Sequence, residues 1–394
     1  MRLALAAPSP VRVARMQAEI ARLGVVGARA GFLPQGFIGT SYAYNSPPPV
    51  GGEFSYIALN GRREYVGQGN VTLDIDTSGR LRAALARAKA DQAAAAASLA
   101  LSERDVRRAV AGSYYRVLLA RHVVEATGAS LEEARSFDKR VRLLAEGGEA
   151  AQADVVKAAA EVAFLEQALN ASELEARLAV HDLASFWTAD VDAPLDLVDT
   201  LDAVPPPPEG SPAAPGTAYL ARPEFRLFDA QRRGFEADAR RARADLLPQL
   251  SLVGQYGIDA LRVNWAERGY ASFVSLHIPV FDWFRARSAT RQFHLQADQV
   301  TTTRQAAERT FSRDYRDALA RAELIHAQIA IVERQVRLAE ENLKLSRVRY
   351  EGGEGLALDV VAAQSQLTQA RTNYFTAKAS YLNARADLEV AAGR

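Results

Sequence analysis

Apolar residues recur alternately three and four apart through Tyr315, Ala318, Ala322, Ile325, Ile329, Val332, Val336, Ala339 and Leu343, and again through Val360, Ala363, Leu367, Ala370, Tyr374, Ala377, Tyr381, Ala384 and Leu388. Val155, Ala158, Val162, Leu165, Leu169, Ser172, Ala176, Ala179 and Leu183 keep the same spacing in the first half. Heptads sustained this long predict coiled-coil helices, with the frequent Ala letting helix axes approach closely. A stripe buried in an ordinary bundle is the plainer alternative. Residues 78–145 and 283–350 carry no Pro, so each stretch predicts a helix on the order of 100 Å long at 1.5 Å per residue. The pairs Gly147-Gly148 and Gly352-Gly353 predict turns between antiparallel helices, since Gly supplies the backbone angles a helix C-terminus needs.

Between these helical stretches the period falls to two. Val71, Leu73 and Ile75 alternate with Asn70, Thr72, Asp74 and Asp76; Leu250, Leu252, Gly254 and Tyr256 alternate with Ser251, Val253 and Gln255; Val274, Leu276 and Ile278 alternate with Ser275 and His277. A further strand is expected from Gly36 to Tyr44. Four strands in two hairpins follow, each with one apolar and one polar face. Tyr42, Tyr44, Tyr65, Tyr256 and Tyr270 flank polar loops at 45–63 and 257–269, where the aromatic girdle of a membrane barrel would lie. A small sheet capping a helical domain explains the same strands. Four strands cannot close a barrel, which needs about eight, so a barrel requires several chains.

The chain carries two copies of one plan. Ala28-Arg29-Ala30-Gly31-Phe32-Leu33-Pro34-Gln35 recurs as Ala242-Arg243-Ala244-Asp245-Leu246-Leu247-Pro248-Gln249, and Glu146-Gly147-Gly148-Glu149 as Glu351-Gly352-Gly353-Glu354. The expected fold class is α+β, mainly α, with an internal two-fold repeat. Residues 1–203 form the first copy (a helix, a β-hairpin at 35–76, a helical hairpin at 78–185). Residues 222–394 form the second (a helix, a β-hairpin at 249–280, a helical hairpin at 283–390). A stiff Pro-rich linker at 204–221, beginning Val204-Pro205-Pro206-Pro207-Pro208, divides them.

Composition narrows the chemistry. Among 394 residues, 48 Lys and Arg face 47 Asp and Glu, a net charge of +1 that offers no field for nucleic acid. Zero Cys excludes disulfides, thiolate metal sites and a Cys nucleophile. No apolar run reaches the ~18–20 residues of a membrane-spanning helix. The opening MRLALAAPSP matches poorly the apolar region of roughly 7–15 residues in a signal peptide. His122, His181, His277, His294 and His326 never pair at the spacing of a helical metal site, and no phosphate loop, dinucleotide fingerprint or nucleophile elbow occurs. Neither catalysis, nor a cofactor, nor a bound metal is expected.

The order of elements resembles the TolC-like outer-membrane efflux family over nearly the whole chain. The resemblance rests on Ala28 to Gln35, on Arg222-Pro223-Glu224-Phe225 through Gln249, on Ile278-Pro279-Val280-Phe281-Asp282, and on Arg347 to Val361. The stretch Ile75-Asp76-Thr77-Ser78-Gly79-Arg80 is a more divergent copy of the helix entry at 278–282. The resemblance implies a homotrimer whose protomers give four strands each to a twelve-stranded β-barrel, continued by long antiparallel helical hairpins as an α-barrel across the periplasm. Residues from about 185 to 222 would belong to an equatorial collar. It further implies an exit duct of a tripartite efflux or type I secretion system, set in outer-membrane lipid and docked on a periplasmic adaptor and an inner-membrane pump of RND or ABC type. Family members begin with a signal peptide and a further stretch before the helix that here opens at Met1. Carboxylates ring the tip in the family, so Asp359, Asp154 and Tyr350 are the expected constriction; each Asp also lies where a carboxylate complements a helix dipole. Gly355 and Ala362 stand where family members often carry an Arg and a second acidic residue. A periplasmic coiled-coil adaptor is the alternative, which accounts for the heptads but not for the duplicated strand pairs.

Overall fold

The computed structural model describes residues 2–46, 63–206 and 217–394. The Pro-rich linker expected at 204–221 and the first strand-connecting loop fall largely outside these residues. In chain order the elements are α1 (Arg2–Ala6), α2 (Pro10–Ala30), β1 (Gln35–Tyr44), β2 (Arg63–Ile75), α3 (Arg80–Glu146), α4 (Gln152–Ala184), α5 (Pro223–Ala244), β3 (Gln249–Ala260), β4 (Gly269–His277), α6 (Arg285–Glu351) and α7 (Ala357–Ala391). Helix, hairpin and helical hairpin recur in the same order, as the repeat predicts. The expected opening helix differs: Pro8 and Pro10 interrupt it after Ala6, because Pro lacks the N–H that would continue the ladder. Pro10 and Pro223 then occupy the first positions of α2 and α5, where that missing donor costs nothing.

The residues cluster into two compact units. One comprises Met1–Arg15, Leu99–Phe225 and Ala306–Arg394; the other comprises Met16–Ser98 and Arg226–Gln305.

In the second unit the strands form a single antiparallel sheet ordered β1-β2-β3-β4. The two hairpins are therefore joined through β2 and β3, in the register Tyr65 to Ala260 and Ile75 to Leu250. β3 also runs on to Ala260, beyond the expected loop start at Gly257. Gly257 explains the close pairing: a Cβ there would lie 2.1 Å from the Gly67 carbonyl oxygen. At each strand-to-helix junction an aspartate caps the long helix. Asp76 accepts from the N–H groups of Leu81 (2.9 Å) and Arg82 (3.1 Å), and Asp282 from those of Phe284 (3.0 Å) and Ala286 (2.9 Å). The divergent first copy thus keeps the function of the second.

In the first unit the heptad positions are the core. Tyr315, Ala318, Ala322, Val332 and Leu343 of α6, and Val360, Ala363, Leu367, Ala370, Ala377, Tyr381, Ala384 and Leu388 of α7, are all buried. Val155, Ala158, Leu165, Ala179 and Leu183 do the same on α4. α3 and α6 are each 67 residues long, about 100 Å of helix. The segment after α4 is strapped against this core: Leu201 is fully buried, Lys378 Nζ donates to Asp202 (2.8 Å), and the Tyr381 hydroxyl lies 3.0 and 2.9 Å from the carbonyls of Pro205 and Pro206.

Candidate functional site: the helical tip, a buried ion triad and the sheet face

Both helical hairpins turn in the same way. α3 ends with the N–H of Gly148 bonded to the Ala145 carbonyl (3.0 Å) and that of Glu149 to the Leu144 carbonyl (2.8 Å). α6 ends with Gly353 to Tyr350 (3.1 Å) and Glu354 to Arg349 (2.9 Å). These bonds satisfy carbonyls the helix leaves open and require a left-handed residue, which is the second glycine of each pair: Gly148 has φ +78° and Gly353 φ +75°. Gly147 and Gly352 have ordinary backbone angles. Gly355 answers a steric need instead, since a Cβ there would sit 3.0 Å from the Tyr350 nitrogen.

The three expected constriction residues part company at this tip. Tyr350 packs inward with Phe137, Val141, Val155, Leu343, Val360 and Leu367, its ring 5.3 Å from that of Phe137. Its buried hydroxyl has no hydrogen-bond partner among the described residues. Burial, and then the charge of Asp154, push its pKa above the ordinary phenol value. Tyr350 and Asp154 are thus neighbours. Asp154 also lies 3.5 Å from Lys157 Nζ. Asp359 is exposed in another groove, of about 300 Å³, beside Asn342, Ser346, Arg349 and Gln366. Its Oδ2 accepts from the Leu356 N–H at 3.4 Å, as a carboxylate in a first helical turn should.

An ion cluster joining α3, α6 and α7 was not expected from the sequence. Glu133 of α3 lies 3.6 Å from both Arg347 of α6 and Arg371 of α7, and Arg371 reaches Glu340 at 3.3 Å. Charges on long helices read as solvated faces until the neighbouring helices are known, so no local pattern marks this group.

The Arg-Pro-Glu motif has a structural explanation. Glu224 receives two hydrogen bonds from Arg104 Nη1 (2.9 and 3.0 Å) and two from Arg222, through Nη2 (2.7 Å) and Nε (3.3 Å). The side chains of Arg104, Glu224 and Arg222 are only 10%, 15% and 10% exposed. The Arg222 guanidinium stacks 3.8 Å above the Phe311 ring. Burial raises the Glu224 pKa, but the bonds from Arg222, its own backbone N–H and Arg104 outweigh this and hold it below the ordinary carboxylate value.

The sheet register gathers apolar side chains on one face. Alternation along the paired strands puts Ile38 and Tyr42 of β1, Tyr65, Val71, Leu73 and Ile75 of β2, Leu250, Leu252, Tyr256 and Ile258 of β3, and Tyr270, Val274 and Leu276 of β4 together. The opposite face carries Gln68, Asn70, Thr72, Asp74, Ser251, Gln255, Asp259 and Ser275, with Phe37, Val66, Val253 and Phe273 as its large apolar members. The apolar face is largely open to solvent, as at Ile38, Tyr256, Tyr270 and Val274.

The family model for "Outer membrane efflux protein" matches residues 1–188 and 214–394. The chain belongs to the outer membrane efflux protein family. Solved family-type channels share its fold. The outer membrane protein VceC of Vibrio cholerae covers all of this chain with 94% of its own, at a TM-score of 0.84 and 17% identity. The MtrE outer membrane channel of Neisseria gonorrhoeae, in its open state, covers all of this chain with 87% of its own, at a TM-score of 0.85 and 21% identity. Among curated relatives, the pyoverdine export outer membrane protein OpmQ of Pseudomonas aeruginosa is 25% identical over 286 residues, 72% of this chain and 60% of OpmQ. Outer membrane protein OprJ of the same organism is 25% identical over 158 residues, 39% of this chain and 33% of OprJ. The chain thus spans between a third and three fifths of the length of these two relatives. As an outer membrane efflux protein it shares fold and family with channel proteins.

Proposed function

We propose that the chain is one protomer of a homotrimeric outer-membrane exit duct, which conducts substrates passively outward from an inner-membrane pump of RND or ABC type through a periplasmic adaptor. The observation that carries this reading is a set of apolar surfaces that one chain leaves uncovered. On α6, Leu324, Ile331, Leu338 and Leu345 recur every seven residues and are 55% to 72% exposed. On α4, Val156, Phe164, Leu174 and Leu178 form a second exposed stripe. These lie on the outer side of helices whose inner heptads are already buried, so each stripe is suited to a further helix from another copy. Covering each side chain contributes about 1–2 kcal/mol. The sheet adds the same demand, because among the described residues β1 and β4 each pair on one side only, and open edges call for closure. Three copies supply twelve strands, enough to close a barrel with the apolar face toward lipid and the polar face toward a lumen.

In this arrangement Asp359 of three protomers rings the entrance, with Asp154 and Tyr350 behind it shaping the closed tip, and Gly147, Gly148, Gly352 and Gly353 forming the turns. Three carboxylates at a constriction favour cations. The names of relatives speak for pyoverdine export in one case and cobalt-zinc-cadmium resistance in another, which supports a duct whose cargo is chosen by its pump. Planar-bilayer recording of the purified protein tests the reading. A wild-type cation preference that weakens in Asp359→Ala supports it; no conductance, or an unchanged preference, would count against the duct or against Asp359 respectively.

A further inference from the structure

A cavity of about 430 Å³ opens in the first unit between α3, α6, α7 and the strapped segment that follows α4. It shares no residue with the groove at Asp359 or with the exposed stripes assigned above to a neighbouring copy. One wall is aromatic. Tyr374 holds a heptad position on α7 whose neighbours Ala370 and Ala377 are buried, yet Tyr374 itself is only half-buried and borders the cavity. The Phe375 ring stands edge-on to it at 5.4 Å between centroids, and the His122 imidazole lies flat on Phe375, 4.2 Å away and 9° from parallel. Three ring systems thus line the space.

Carboxylates surround these rings. Glu133 is matched by Arg347 and Arg371, and Asp202 by Lys378. Glu125 and Asp199 approach the two nitrogens of His122, at 3.5 and 2.6 Å, and have no lysine or arginine partner among the described residues. The Glu125 side chain is 81% exposed, so its charge is open to a ligand. The chain itself shows what the aromatic wall attracts: the Lys378 ammonium, on a side chain only 6% exposed, sits 4.3 Å from the centre of the Tyr374 ring. A ring face holds a cation through its quadrupole, and holds it more strongly where water is excluded. An anion would find Arg371 already held by Glu133 and Glu340. The volume suits a small organic molecule, and an apolar wall facing a few charged groups is the usual form of such a site. We infer that this cavity binds an organic cation, an amine or quaternary ammonium carrying an apolar ring, with its cationic head between the aromatic wall and Glu125. The site lies within one chain, so the inference stands apart from the duct reading.

Calorimetric titration of the full chain in a non-ionic detergent tests it, with benzyltrimethylammonium as the probe. Benzyl alcohol serves as the uncharged control and phenylacetate as the anionic one. One site per chain is expected, binding the cation at least about ten-fold more tightly than either control. Tyr374→Leu keeps an apolar side chain and removes the ring, and should weaken the cation about five-fold. Glu125→Gln alters an exposed position where folding is not at stake, and should weaken it about three-fold at low salt and less at high salt. Hydrogen exchange should slow on binding at residues 197–204 and in α7 around Tyr374. Melting curves identify a misfolded Tyr374→Leu, in which case Glu125→Gln carries the test alone. Tighter binding of phenylacetate, equal binding of all three probes, no saturable binding, or a cation affinity that neither substitution changes would each overturn the inference.

Discussion

Glu224 is the side chain whose replacement tests the packing of the first unit most sharply. It accepts two bonds from Arg104 and two from Arg222, all between 2.7 and 3.3 Å. Replacing it with Gln keeps the shape and removes the charge, leaving two guanidinium groups, each about 10% exposed, without their shared counter-charge. Breaking a buried ion pair from one side costs about 3–5 kcal/mol. Arg104 retains Asp105 at 2.9 Å and Arg222 retains the Phe311 ring, so the lower end, about 3 kcal/mol, is expected. For 394 residues, at an unfolding entropy of about 2.1 cal/mol/K per residue, this lowers the midpoint by roughly 4 °C. Calorimetry of wild type and Glu224→Gln at equal protein and detergent concentration measures it. The pH dependence carries a sign. Because the folded pKa is depressed, the stabilisation is present in full above the ordinary carboxylate value of about 4.3 and is lost as pH falls through the lower folded value. The gap between the two proteins should hold from neutral pH to about 5 and narrow below about 4. A double change with Arg104→Met should cost less than the sum of the single changes. A loss under 1 °C, or a gap that widens in acid, would refute the triad's role.

Gly257→Val places side-chain atoms where a Cβ would lie 2.1 Å from the Gly67 oxygen, so the sheet should not pair through β2 and β3; heat-modifiable migration in gels is expected of the wild type and should be absent from the variant. Gly353→Ala meets no atom within 4 Å and so costs only its left-handed φ, about 1 kcal/mol, whereas Gly352→Ala should be nearly neutral; chemical unfolding of both separates them. Ile331→Asp with Leu338→Asp puts charges into the exposed α6 stripe, leaves the buried heptads intact, and should convert trimers to monomers in sedimentation while far-ultraviolet circular dichroism keeps its helical signal.

Much of this structure is written in periodicity. The heptad register of α4, α6 and α7 reads directly because one face of each helix is buried within the chain, and burial of a fixed face is what a repeating pattern encodes. The turn glycines read for a related reason, since a left-handed residue at a helix end has few alternatives to Gly. The joining of the two hairpins through β2 and β3 did not read, because register across a long sequence separation leaves no local mark. Nor did Arg104 as a partner of Glu224, or the partners of Glu133, because those arginines lie on other helices. Trp283 and Phe284, at φ +53° and +63°, run against propensity.

The most direct test of the account is the mass of the protein extracted from the outer membrane of a Gram-negative host after secretion, determined by light scattering with the detergent contribution removed. Three times the chain mass of 42.8 kDa is predicted, with the protein lost from solution when detergent is withdrawn. A single 42.8 kDa chain, soluble without detergent, would contradict the shared barrel and the duct built on it.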